Sequence, residues 1–102
     1  MSLTTAFISE LIWAANQASS LTPFEKRRLI ERAVATIHDL REQAGIPSSN
    51  TAADALTGLR ETASAVDGLD GERISAALLE AADMIRTLRV LLDSGTEVVI
   101  KS

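Results

Sequence analysis

With 102 residues, 46% of them hydrophobic and 24% charged, the chain has the size and composition of one globular domain with a modest core. It holds no cysteine, which excludes disulfides, thiolate metal sites and cysteine nucleophiles and suits a reducing cytoplasm. Its net charge of −4 gives no general attraction for nucleic acid or an anionic membrane.

No apolar run approaches the roughly 18 residues of a membrane span. At the amino terminus Glu10 interrupts the apolar stretch, so no secretory signal is expected. Phe7, Trp13 and Phe24 are the only aromatics, and 16 residues are alanine. The core must therefore be built from Leu, Ile, Val and Ala, with small contacts that let helix axes approach closely.

The periodicity predicts four helices over residues 3–19, 23–44, 51–66 and 71–94, followed by a tail at 95–102. In the first, Phe7, Leu11, Ala14 and Ala18 share a face, with Ile8, Ile12 and Ala15 beside it. Trp13 falls off this stripe, as a flank residue or a partner contact.

The second helix has the clearest bounds. Thr22-Pro23-Phe24-Glu25 offers an N-cap, a proline at the first helical position and a glutamate three residues after the cap. Gly45 and Pro47 end it. Ile30, Ala33, Ile37, Leu40 and Ala44 step 3, 4, 3, 4, the spacing of helices packed at a shallow angle.

A polar link, Pro47-Ser48-Ser49-Asn50, leads to the third helix, whose stripe is Ala52, Leu56, Leu59, Ala63 and Val66. Gly58 weakens it by about 1 kcal/mol relative to alanine. Asp67-Gly68-Leu69-Asp70-Gly71 is a tight turn before the fourth helix.

That fourth helix carries the most informative pattern. Ile74, Leu78, Ala81, Ile85, Leu88 and Leu92 step 4, 3, 4, 3, 4 along one face. A second apolar set, Ala77, Leu79, Ala82, Met84, Val90 and Leu91, makes the helix apolar well beyond that face. Either the helix lies in the middle of a bundle, or it also meets a second chain. The tail, Thr96 to Lys101, is the one β-prone segment, and a lone strand needs a partner to be stable.

The expected fold is thus all-α, a small antiparallel four-helix bundle. Its alternative is a long helical hairpin of the second and fourth helices with the other two as covers.

Catalytic chemistry finds little footing. His38 is the only histidine, and neighbouring Asp39 points about 100° away on a helix, so no dyad or triad is ready-made; a boundary position beside the core is expected for it. Glu80 and Asp83 share a face, but Arg86 follows at the same spacing and neutralises Asp83. The Glu-x-x-His pairs of a di-metal bundle are absent, and Gly68 and Gly71 lack the context of a phosphate loop. No catalytic, cofactor or metal residue is assigned.

Lys26, Arg27, Arg28 and Arg32 are the one charge anomaly, because cations near a helix start oppose the macrodipole. In an up-and-down bundle the starts of helices two and four and the end of helix three lie together. Asp67, Asp70 and Glu72 then stand ready to pair with this cluster.

The function expected from these features is a non-enzymatic interaction module, a homo-oligomeric regulator or adaptor in the cytoplasm that binds another protein. Its candidate interface is Leu79, Ala82, Val90, Leu91, Val98 and Ile100. The alternative is a protein that binds a nucleotide or phosphate-bearing metabolite through Lys26, Arg27, Arg28 and Arg32, with Arg73 as a further contact. An enzyme is the least supported class. Nucleic acid and membrane are disfavoured as partners, because no aromatics interleave with the basic residues and no helix has a lysine- and arginine-rich face opposite bulky aromatics.

Overall fold

The computed structural model describes residues 3–45 and 50–94 as four helices with no strand among them. They are α1 (Leu3–Asn16), α2 (Pro23–Ala44), α3 (Asn50–Ser64) and α4 (Gly71–Ser94). The 47–49 part of the polar link and the β-prone tail at 95–102 lie outside the described residues.

Two helices stop short of the ends their stripes predict. α1 yields at Asn16 to a tighter turn over Ala18–Ser20, in which the Ser20 amide donates to the Gln17 carbonyl at 2.9 Å. α3 does the same over Val66–Gly68, where the Gly68 amide donates to the Ala65 carbonyl at 2.9 Å. Asn and Ser next to the first break, and Gly at the second, are weak helix formers. The tightened turns still keep Ala18 and Val66 in the core, so the apolar period outlasts the α-helix itself.

The α2 cap forms as its sequence dictates. The Glu25 amide donates to Thr22 Oγ1 at 3.1 Å, and the Thr22 amide donates to Glu25 Oε1 at 2.9 Å. Gly45 takes φ 71°, and its amide bonds the Arg41 and Glu42 carbonyls. At the start of α4, Asp70 Oδ1 accepts from the Arg73 amide at 2.8 Å.

Contacts at helix ends fix the helix directions. Arg27 near the start of α2 reaches Ala63 and Asp67 at the end of α3, while Glu10 bonds Arg32 midway along α1 and α2. Gly71, opening α4, sits so close to Ser19 that a Cβ there would lie 2.8 Å from its Oγ. Consecutive helices therefore run antiparallel, which leaves α2 and α4 parallel to each other.

These two long helices form the middle of the molecule, with α1 packed on α4 and α3 packed on α2. The pair is central, as in the alternative expectation, but it is not a hairpin. The result is a flattened up-and-down bundle, 47 × 32 × 17 Å across its Cα atoms.

The core is wholly aliphatic apart from Phe7, and among the described residues no polar or charged side chain is buried. Leu11, Ile30, Ile37, Ile74, Leu78, Val66 and Ile85 are its largest fully buried side chains. Ala33, Ala77, Ala81 and Ala82 lie among them, so that α2, α4 and α1 can approach closely. Because α4 touches every other helix, its core stripe is broadened by Ala77 and Ala82, which accounts for part of its wide apolar surface.

This packing ranks two substitutions in α2. Ile37→Ala empties a fully buried site and should lower stability by about 2–5 kcal/mol. Thr22→Ala removes one cap bond and should cost about 1 kcal/mol. Urea unfolding of both variants checks the order, and a larger loss for Thr22→Ala would contradict the central burial of Ile37.

Candidate functional site

Of the large apolar side chains that the core leaves exposed, Ile12 of α1 and Leu79 of α4 meet in a groove along the seam of those two helices, whereas Trp13, Phe24, Val90 and Leu91 lie outside it. Leu79 and Val90 remain 44% and 59% exposed, and Ile12 on α1 is 39% exposed. Ile8, Ile12, Leu79, Ala82, Asp83 and Arg86 line a shallow groove of about 210 Å³ between the two helices. Ala82 is only 4% exposed and forms its floor, so of the expected interface residues it serves the core rather than the surface. Its small side chain lets α1 sit close enough for Ile12 to stand beside Leu79.

Asp83 and Arg86 project from the same α4 face, with Arg86 Nη2 donating to Asp83 Oδ1 at 3.3 Å. That is the neutralisation expected from their spacing. Leu91, 49% exposed, lies about 120° around the helix from Leu79 and so belongs to a different flank. Val98 and Ile100 lie outside the described residues.

The basic cluster is dispersed by the fold. Arg27 donates from Nε to the Ala63 carbonyl at 3.2 Å, and its Nη2 lies 4.0 Å from Asp67 Oδ2, so one expected pairing forms across the α2–α3 end. Arg32 turns the other way. Its Nη1 donates to Glu10 Oε2 at 3.3 Å, and its guanidinium lies 4.4 Å from the centre of the Phe7 ring.

Arg28 rests over Phe24 at 5.9 Å. Asp70, expected as a further partner, is engaged in capping α4 instead. A carboxylate at an N-cap must aim at the backbone amides, which takes it away from the arginines. Thus Arg27 and Arg32 are committed to opposite sides of α2. Trp13, 57% exposed, joins Leu21, Glu25, Arg28 and Arg32 in a separate shallow groove between α1 and α2.

A wider groove of about 590 Å³ lies between α2 and α3, lined by Glu31, Val34, His38, Asp39, Arg60 and Ser64 among others. Here the structure corrects the expected boundary position of His38, which is exposed. One residue past Ile37 on a 3.6-residue helix, it is turned about 100° from the core.

His38 Nδ1 lies 4.0 Å from Asp39 Oδ1, and Nε2 lies 3.9 Å from Glu42 Oε2, both beyond hydrogen-bond length. Among the described residues these three form the one group whose spacing could admit a metal ion. All three are exposed, and among the described residues no buried polar side chain stands behind the imidazole to orient it.

Neither a protein-family model, nor a curated protein, nor a solved structure matches this chain. Among the described residues, no helix is long and apolar enough to cross a membrane.

Ile12, expected beside the core face of the first helix, is instead 39% exposed and joins the groove, a contributor absent from the expected interface. Its signal was its offset of about 100° from Leu11, on the flank that faces Leu79 once α1 is laid on α4.

The dispersed arginines generate a test. Replacing Arg28 and Arg32 together with Gln should change stability by less than about 1 kcal/mol per exposed pair, which melting curves check. A folded double variant that loses a nucleotide or phosphate ligand bound by the parent would assign the cluster a binding role.

Proposed function

We propose that the chain is a non-enzymatic helical interaction module, a homo-oligomeric regulator or adaptor that works through the α1–α4 face. The observation that carries this reading is the exposure of Ile12 and Leu79 side by side along one open groove, beside a core that is already complete without them. Exposed apolar side chains that meet in a groove rimmed by charges are the kind of surface a partner covers, which supports the reading. Paired charges at its edge favour specificity over indiscriminate stickiness. The cysteine-free composition suits a cytoplasmic setting.

The alternative, an anionic ligand held by Lys26, Arg27, Arg28 and Arg32, has weaker support. Arg27 and Arg32 already have partners within the chain and reach in opposite directions.

Light scattering or sedimentation at micromolar concentration should report at least twice the 10.9 kDa chain mass. Leu79→Glu should shift the protein toward that single-chain mass while its helical signal and melting midpoint stay close to the parent's. A parent protein that remains at 10.9 kDa across concentrations contradicts the reading.

A further inference from the structure

The exposed row on α4 has an internal symmetry. Leu79, Asp83, Arg86 and Val90 step 4, 3, 4 and fall within about 60° of helical arc. Their order is apolar, acidic, basic, apolar, and it is symmetric about the point between Met84 and Ile85.

An antiparallel copy of the same helix therefore meets it with opposite charges facing. Leu79 falls opposite the partner's Val90, and Asp83 opposite the partner's Arg86, with both contacts repeated by the two-fold axis. A parallel copy would instead set acid against acid and base against base.

We infer that the α1–α4 face is an isologous dimer interface, in which α4 packs antiparallel against α4 of a second copy of this chain. The inference rests on the proposed self-association and supplies its geometry. A two-fold interface requires that if one residue meets another, the reciprocal contact also forms, and this row meets that requirement. The 4, 3, 4 spacing is that of a short seam between helices crossing at a shallow angle.

The partner's Val90 comes down at the level of Leu79, where the groove floored by Ala82 and flanked by Ile12 receives it. At the centre, each Asp83–Arg86 pair, 3.3 Å apart within one chain, joins its two-fold mate in a ring of four alternating charges. Such exposed charges fix register and direction, whereas the apolar residues at either side hold the copies together.

Charge reversal tests the register in the full chain. Asp83→Arg places like charges across the axis, as does Arg86→Asp. Each variant alone should dimerise roughly tenfold more weakly than the parent or worse, by concentration-dependent sedimentation.

Mixing the two variants restores opposite charges at both contacts, and the mixture should form a heterodimer near the parent's affinity. The doubly reversed Asp83→Arg, Arg86→Asp chain should likewise dimerise like the parent, which separates a lost contact from a lost fold.

A parent that dimerises while single reversals have no effect, or while mixing restores nothing, overturns this geometry and leaves self-association standing. A parent that stays monomeric overturns both.

Discussion

Everything else in the molecule depends on the burial of α4 against the other three helices. Ile74, Leu78 and Ile85 are inaccessible to water, and Ala77, Ala81 and Ala82 keep the neighbouring axes close. Because α2 and α4 run parallel, the chain between them must return through α3; α3 lies on α2 and α1 on α4 as the covers of a flat, elongated bundle. Its solvent side still carries exposed residues such as Glu72, Glu80 and Leu91. Among them, Leu79, Asp83, Arg86 and Val90 form a row with apolar ends and a charged centre, whose Leu79 end borders α1.

Most of the fold was legible from patterns that report local physics. The capping box at Thr22, the left-handed Gly45 and the stripes of α2 and α4 depend on residues within a turn or two of one another, and each appears as its chemistry dictates. Features set by tertiary geometry were less legible. The partner of Arg32 is Glu10, 22 residues away on α1, rather than an acid of the turn before α4, because the direction that a side chain takes off α2 depends on which helix lies beside it. Asp70 could cap a helix or pair with an arginine, and the four-residue geometry of a cap prevails over a longer-range ion pair.

The same division runs through the interaction face. Leu79 and Val90 stand out from sequence because they fall off a core stripe that is already full, and both are exposed. Ala82 looks equivalent by hydrophobicity, yet it is the floor on which α1 rests, since only a small residue permits that approach. Ile12 becomes visible as a member only once α1 is laid on α4. The basic cluster shows the converse: close in sequence, it is scattered in space, with Arg27 on a carbonyl, Arg32 on a carboxylate and an aromatic ring, and Arg28 over another ring.

Two neighbouring leucines on α4 meet opposite environments. Leu78 is fully buried, whereas the next residue, Leu79, is 44% exposed on the proposed contact face. In urea unfolding of dilute protein, Leu78→Ala should lose about 2–5 kcal/mol, the range for an emptied core site. Leu79→Ala should lose no more than about 0.5 kcal/mol, as for a surface substitution. Equal losses at the two positions would contradict the central place of α4 and, with it, the surface on which the functional argument stands.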